Sequence, residues 1–194
     1  LTGGTFTNTS STLYIDRNFT FSSGSAFNHN SGTIRFDSET SSSDDSTLTC
    51  HSNHDNLGLV VINKNWNGAD FINGADCDIP LGTDPTTDAD GTFTNNGIFR
   101  IAGGTWSVTD LDVLNNNGLI DHSGVGWDSS GGLNMGSGST VTYSGSRAFF
   151  GTNFDVSQGS WPTGIRLTFD ADSTNSDTTL TCGTNDDLFG IVTI

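Results

Sequence analysis

Positive charge is scarce in this chain. Lysine and arginine together number 6 against 22 aspartate and glutamate residues, which gives a formal net charge of −16 at pH 7. Surfaces that bind nucleic acid or anionic lipid need clusters of basic residues, and the bases here are scattered along the sequence. The charge balance therefore argues against nucleic acid as a partner. The six bases are Arg17, Arg35, Lys64, Arg100, Arg147 and Arg166.

Helix-forming residues and long apolar runs are also scarce. Glu39, Lys64 and Met135 are the only residues of their kinds, so few side chains favour helices. No apolar run approaches the ~18 residues that a membrane-spanning helix requires, and we expect no membrane span in this segment. No signal peptide is visible. Because the sequence starts and stops inside patterned sequence, we interpret it as an excerpt or a mature product.

The residues that are abundant favour strands. Hydrophobic residues make up only 32% of the chain, a low share that, together with the net charge, is typical of disorder. The 13 Phe and 4 Trp, and the short alternating apolar runs in which they fall, argue against disorder. Thr, Ser, Asn, Asp and Gly dominate and favour strands joined by tight turns. We therefore predict an all-β protein.

One stretch of the sequence occurs twice. Residues 47–62 read TLTCHSNHDNLGLVVI and residues 179–194 read TLTCGTNDDLFGIVTI, and nine of the sixteen positions are identical. The displacement is constant, since Cys182 follows Cys50 and Ile194 follows Ile62 by the same 132 positions. A long internal repeat constrains the fold more strongly than any local pattern. We interpret residues 1–194 as a single continuous segment that contains about one and a half copies of this 132-residue repeat.

A shorter rhythm lies inside that repeat. The phrases NNGIFRIAGG (95–104) and NNNGLIDHSG (115–124) begin 20 positions apart, and GGLNMGSGSTVTYSG (131–145) continues in the same style. A strand-turn unit of this length cannot bury its own apolar face, whereas stacked units form a narrow continuous core. We therefore predict a parallel β-helix, or β-solenoid, with coils of roughly 20 residues. Tandem Ig-like β-sandwiches of about 100 residues each are the alternative fold.

Several phrases resemble the tandem repeats of very large bacterial surface proteins. They are FSSGSAFNHNSGTIRFD (21–37), LGLVVINK (57–64), GTFTNNGIFRIAGG (91–104) and FGIVTI (189–194). Such repeats are typical of adhesin-like and autotransporter-like β-solenoids. The resemblance implies an extracellular or cell-surface protein with a structural or adhesive role. It transfers no catalytic residue to this chain.

The three cysteines suggest one disulfide. Cys50 and Cys77 are separated by slightly more than one coil, so stacked coils would bring them within bonding distance. Cys182 is the copy of Cys50, and the copy of Cys77 would fall beyond the last residue. We predict a Cys50–Cys77 disulfide, with Cys182 outside any disulfide within this chain. Three buried thiols, as in reducing compartments, are the alternative.

One acidic loop is a candidate calcium site. The segment TDPTTDADG (83–91) places carboxylates at Asp84, Asp88 and Asp90 before a glycine. Calcium binds several oxygen ligands in a sharply turning loop, so calcium is the one cofactor that the sequence suggests. The complete EF-hand pattern is absent, and a solvated acidic turn is the alternative. No CxxC spacing indicates zinc.

The tryptophans suggest two different roles. Aromatic rings on the flank of a solenoid can stack on sugars, which predicts glycan contacts. The alternative is packing of the rings at turns and strand edges. The residues concerned are Trp66, Trp106, Trp127 and Trp161.

Paired acids raise the question of an enzyme. Asp44–Asp45 and Asp186–Asp187 resemble the carboxylate pairs of β-helices that cleave polysaccharides, for which two carboxylates suffice in principle. The basic cluster and histidine motif of those enzymes are missing. His54 replaces Asp186 in the first copy of the repeat, so the pair is not kept. We therefore expect no enzyme and assign no catalytic residue.

These observations predict a structural component of an extracellular filament, stalk or adhesin. We see no capping element at either end, so coils are expected to continue into a longer repeat chain or to stack end to end on other copies. The expected partners are the chain itself and, secondarily, glycans or other cell surfaces. A glycan-binding or polysaccharide-degrading β-helix is the alternative function.

Overall fold

The computed structural model describes residues 2–37, 45–51, 57–64, 68–83, 85–109, 111, 113–169, 178–183 and 190–193. The described residues form 23 β-strands and no helix. Every strand pair among them is parallel, as the register of each pairing shows. Parallel pairing confirms the predicted β-solenoid and excludes the alternative of Ig-like sandwiches, whose sheets are antiparallel.

The strands form three long faces, with a short sheet at one end. The nine-stranded first sheet consists, in order, of β2 (Thr12–Ile15), β5 (Thr33–Asp37), β7 (Leu59–Lys64), β10 (Thr86–Ala89), β13 (Thr105–Thr109), β16 (Gly126–Ser129), β19 (Arg147–Phe150), β21 (Arg166–Phe169) and β23 (Ile191–Thr193). The eight-stranded second sheet consists of β3 (Phe19–Thr20), β6 (Ser46–Thr49), β8 (Phe71–Asn73), β11 (Thr92–Asn95), β14 (Val113–Asn116), β17 (Gly132–Met135), β20 (Phe154–Asp155) and β22 (Leu180–Thr181). The four-stranded third sheet consists of β9 (Asp78–Thr83), β12 (Ile98–Gly103), β15 (Leu119–His122) and β18 (Thr140–Tyr143). The two-stranded sheet consists of β1 (Gly4–Thr7) and β4 (Ser25–Asn28).

In the four coils from β7 to β18, the chain visits the three faces in the same order. The chain passes from a first-sheet strand to a second-sheet strand, then to a third-sheet strand, and then starts the next coil. In the first coils, the two-stranded sheet of β1 and β4 occupies the position that the third sheet occupies in later coils. The edge strand β9 contains Pro80, which has no N–H to donate and is tolerated at a sheet edge.

Coil length is 21 residues at several steps of the first sheet and varies elsewhere, from 19 positions between β19 and β21 to 29 in the second sheet. Thr105 pairs with Gly126, and Gly126 with Arg147, so each partner lies 21 positions further along the chain. The step is longer in the second sheet between Phe19 and its partner Leu48, which are 29 positions apart. The extra residues lie between strands, so they change coil length without changing the faces.

The core is a narrow column of inward side chains. In β13, the sequence Thr-Trp-Ser-Val-Thr alternates, so that Trp106 and Val108 are buried while the residues between them are more exposed. This period of two is the strand period. Because each strand supplies only about two inward residues, the chain fills its core with little apolar sequence. This arrangement explains how the chain can fold although few of its residues are hydrophobic.

Aromatic rings form a continuous ladder along this core. The ring centroids of Phe36 and Phe71 lie 5.0 Å apart, and those of Phe71 and Phe93 lie 5.2 Å apart. Trp106 stacks on Trp127 at 4.9 Å. Each such pair adds about 0.5–1.5 kcal/mol beyond its buried area, so the ladder strengthens contacts between successive coils. It continues through Phe99, Phe150, Phe154, Trp161 and Phe169.

The two copies of the repeated stretch occupy matching places. Strands β6 and β22, which carry the two TLT phrases, both lie in the second sheet. Strands β7 and β23, which carry the two Val-containing ends, both lie in the first sheet. The interpretation of the chain as one and a half copies of a longer repeat stays a prediction.

Candidate functional site

The predicted disulfide joins two neighbouring coils. Cys50 follows β6, and Cys77 directly precedes β9. Their Cα atoms lie 5.2 Å apart and their sulfur atoms are bonded at 2.06 Å. The disulfide excludes the alternative of three buried thiols and indicates an oxidising compartment.

Cys182 follows β22 at the place that Cys50 takes after β6. Its side chain is exposed, and among the described residues it forms no disulfide. The structure thus distinguishes the two copies: the first cysteine is buried in a covalent tie between coils, whereas the second is accessible to solvent.

Three of the four tryptophans are core residues. Trp106 and Trp127 are 0% exposed and Trp161 is 7% exposed. The glycan-stacking hypothesis is wrong for these three, because their faces are covered by other rings: Trp127, for example, lies 5.8 Å from Trp161. These three rings pack in the core and not at the turns and strand edges that the alternative named. Trp66 lies outside the described residues, so its role stays a prediction.

The acidic loop does not assemble a metal site among the described residues. Asp88 lies in β10, and its Oδ1 is buried without a hydrogen-bond partner. Asp90 instead accepts a hydrogen bond at Oδ2 from the backbone N–H of Gly68, at 3.0 Å. No group of three His, Cys, Asp or Glu side chains with metal-binding geometry occurs in the described part of the chain. Asp84 lies outside it, so calcium binding stays a prediction.

The residues of the enzyme alternative are largely outside the described structure. Asp44, His54 and the pair Asp186–Asp187 all fall there. Asp45 is described, and its Oδ1 accepts a hydrogen bond from the backbone N–H of Asp70 at 3.1 Å. That contact joins two neighbouring coils, and it gives Asp45 a structural role.

A buried ladder of asparagine amides links the coils at the corner after the second sheet. Asn73, Asn95 and Asn116 are each 0% exposed. Nδ2 of Asn73 donates to Oδ1 of Asn95 at 2.8 Å, and Nδ2 of Asn95 donates to Oδ1 of Asn116 at 2.8 Å. Because buried amides are costly unless they are hydrogen-bonded, the ladder fixes the stacking register. The same three Nδ2 atoms also donate to the carbonyls of Ile98, Leu119 and Thr140.

A histidine and a tyrosine occupy equivalent places at the corner after the third sheet. His122 is buried; its Nδ1 accepts a hydrogen bond from Gly124 N–H at 2.8 Å, and its Nε2 lies 2.9 Å from Gly126 O. The proton therefore sits on Nε2, and the ring is neutral. Burial lowers the pKa of His122 below its ordinary value. One coil on, Tyr143 donates its hydroxyl to Arg147 O at 2.6 Å, and burial raises its pKa to about 12.

A groove on the outside of the first sheet carries two arginines that form no ion pair with a described carboxylate. It has a volume of about 580 Å³ and runs along the corner where the chain enters β19, β21 and β23. Arg147 and Arg166 are directly opposite each other in register and both are exposed. The groove is also lined by Val125, Ser146, Gly164, Gly190 and Ile191.

The two groove arginines differ from Arg35, Arg100 and Lys64 in their partners. Arg35 pairs with Asp37 at 2.8 Å, and Arg100 pairs with two carboxylates at 2.8 and 3.0 Å. Lys64 is buried and donates to backbone carbonyls of the chain. Among the described residues, no carboxylate forms an ion pair with Arg147 or Arg166. Arg147 instead lies over the ring of Phe149, 5.1 Å from its centroid.

The sequence contained signals for these features that composition alone does not show. The six bases look scattered along the chain, but Arg147 and Arg166 are 19 positions apart, close to one coil, and a coil step places residues side by side. The same holds for the asparagine ladder, whose members are 22 and 21 positions apart. Trp106 and Trp127 are also one coil apart and stack for the same reason.

Comparisons with known proteins add no family to these observations. No family model, no curated protein and no solved structure matches the chain. In the part of the chain that the structure describes, no helix is long and apolar enough to cross a membrane.

Proposed function

We propose that this chain is a structural segment of an extracellular filament, stalk or adhesin. The observation that supports it best is the continuity of the contacts along the solenoid axis. Aromatic rings, buried amides and a disulfide each connect one coil to the next. Together these contacts stabilise the stack along its length, which is the property that a filament or stalk needs.

The dimensions of the stack suit a rod. Parallel strands lie about 4.8 Å apart, so the nine strands of the first sheet span about 38 Å along the axis. In such a stack each coil contacts mainly its neighbours, and stability is the sum of these contacts. A rod of this kind gains length by adding coils, without a new core.

The disulfide supports an extracellular location. Disulfides persist in oxidising compartments and are rare in reducing ones. The resemblance of the sequence to repeats of bacterial surface proteins favours the same location. The proposed cell-surface setting rests on these two observations together.

Further coils can add at the β23 end of the described stack. In β23, Val192 faces the core, in register with the buried Leu167, yet it is 38% exposed because no described coil covers it. An incoming strand would cover this side chain and pair with the edge of β23. The added coil belongs either to the same chain or to another copy.

Electron microscopy of the native material tests the proposed role. Rods several times longer than the ~38 Å of one stack are expected, and particles no longer than one stack would contradict the proposal. The variant Val192→Asp places a charge on the core-facing side of β23 and would shorten rods that assemble from separate copies. Thr193→Asp, on the outward side of the same strand, is the matched control and should leave rod length unchanged.

A further inference from the structure

We propose that the groove along Arg147 and Arg166 binds the carboxylate or sulfate groups of an acidic polysaccharide.

Among the described residues, neither arginine of the pair has a carboxylate partner. Like charges directly opposite each other on neighbouring strands destabilise a sheet, and Arg147 lies directly opposite Arg166. The described carboxylates that form ion pairs are engaged with Arg35 and Arg100. An oxyanion placed between the two guanidinium groups would remove this repulsion. It would also accept paired hydrogen bonds, because the planar guanidinium fork matches carboxylate and sulfate geometry.

The groove favours recognition through side chains. Strand β19 pairs with β16 and β21, and β21 pairs with β19 and β23, so the backbones beneath the two arginines already have neighbours on both sides. A peptide that binds by adding a strand needs a free sheet edge, and the two strands that carry the arginines offer none. The ligand must therefore be recognised by its charged groups and its shape.

Apolar surface lies beside the charges. Val125 is 72% exposed and Ile191 is 52% exposed, and both line the groove. A sugar ring has an apolar face of C–H groups and a rim of polar substituents. It can place that face on Val125 or Ile191 while its acidic group reaches the arginines. A free inorganic anion would use the arginines and leave the apolar surface uncovered.

The net charge of the chain affects which acidic polysaccharides bind most tightly. A charge of −16 repels a dense polyanion at long range. At roughly physiological ionic strength, however, charges are screened beyond about 8 Å, so the local arginine pair decides the contact. A polysaccharide with widely spaced acidic groups gains the local attraction with little repulsion. We therefore expect an alternating uronate polymer to bind more tightly than a densely sulfated one.

Calorimetry with defined oligosaccharides tests the proposal. A hyaluronan octasaccharide, with one carboxylate per disaccharide, is expected to bind the full chain. Its affinity should fall as salt is added. A chondroitin sulfate octasaccharide, which carries sulfate in addition to the carboxylates, is expected to bind less tightly than hyaluronan, and neutral dextran should not bind. Arg147→Gln and Arg166→Gln should each weaken binding about tenfold, equal to ~1.4 kcal/mol.

The matched control is Arg100→Gln. It removes the same charge from the third sheet, where Arg100 pairs with Asp78 and Asp121, and it should leave binding unchanged. An equal loss of affinity in Arg100→Gln would show that the effect comes from the net charge of the chain, and it would overturn the proposal. Circular dichroism of each variant verifies that the fold is intact.

Three further outcomes would overturn the proposal. The first is the absence of binding by both acidic oligosaccharides at physiological salt. The second is sodium sulfate binding as tightly as the oligosaccharides, which would make the groove a site for a free anion. The third is a poly-aspartate peptide that binds more tightly than either oligosaccharide, which would assign the groove to a protein partner.

Discussion

Neighbouring coils are linked by different chemistry on the two sides of β8. On the side of the earlier coil, the link is the covalent Cys50–Cys77 bond. On the side of the later coils, the link is the amide ladder that starts at Asn73 and continues through Asn95. The two kinds of link meet in one short stretch of the chain, between Asn73 and Cys77.

The change follows coil spacing and residue type. An amide ladder needs an asparagine at the same place in every coil, and in the earlier coil Leu48 pairs with Asn73. A leucine cannot donate, and Oδ1 of Asn73 is left buried without a hydrogen-bond partner. The coil step also shortens there, from 25 positions between β6 and β8 to 22 between β8 and β11. The disulfide therefore stands where the side-chain ladder ends.

The largest effect is expected from removing the covalent link. For a sequence separation of 27 residues, loss of a disulfide costs about 3.5 kcal/mol of unfolding free energy by loop-closure entropy. The double variant Cys50→Ser/Cys77→Ser should lose this amount in urea unfolding, and the reduced native chain should behave alike. Cys182→Ser is the control and should be close to neutral. An equal loss in that control would show that the second cysteine also stabilises the stack.

A smaller effect is expected from breaking the amide ladder at its centre. Asn95→Leu keeps the volume but removes the hydrogen bonds to Asn73 and Asn116 and leaves Leu119 O without its amide donor. A buried, unsatisfied polar group costs about 1–3 kcal/mol, so we expect a loss of about 2 kcal/mol in urea unfolding. Asn134→Ala, in an exposed amide pair, should lose less than about 0.5 kcal/mol. Similar losses of unfolding free energy in both variants would show that burial of the amide does not determine how much it stabilises the stack.

A change of pH near neutrality alters neither the disulfide nor the amides, but it alters the charge of histidine side chains. Burial lowers the pKa of His122 in the folded chain, whereas the unfolded chain titrates near about 6.5. The unfolded chain therefore binds more protons below that pH, and stability should fall as the pH drops from about 6.5 toward the lowered folded pKa. His122→Tyr, which copies Tyr143 of the next coil, should flatten this dependence in unfolding curves. An unchanged slope would assign the pH effect to other groups.

The smallest effect is expected where a contact between coils is repulsive. Arg166→Gln removes one member of the pair with Arg147 and should raise the unfolding free energy by about 0.5 kcal/mol at low salt. The gain should vanish at high salt, because screening already removes the repulsion. Thermal unfolding at two salt concentrations measures both values. A loss of stability at low salt would show that the two arginines do not repel each other in solution.

Much of the fold was predictable because its signals are local and periodic. The recurring Gly and Asn turns and the short alternating runs predicted a parallel solenoid, and the near-coil spacing of Cys50 and Cys77 predicted their bond. Trp106 and Trp127 are also spaced by one coil, which indicates a stack of their rings. These rings are buried because a core with few inward residues needs large side chains to fill it.

The groove was harder to predict, because it depends on side-chain register across coils of unequal length. Arg147 and Arg166 are 19 positions apart, although the coils just before them step by 21. A sequence period alone would have placed the partner of Arg147 two positions later, at Thr168. The lack of carboxylate neighbours among the described residues depends on the lateral packing of three coils, which composition does not encode.

The disulfide has a consequence for the chain under tension. A rod that links two anchored points extends when its coils unwind, and each released residue adds at most about 3.6 Å of contour length. The Cys50–Cys77 bond shields the 27-residue step between its two ends, so that about 95 Å of contour length stays out of reach of the pulling force. Reduction would release this length without breaking the backbone. The first coils would thus set how far the segment stretches according to the redox state of its surroundings.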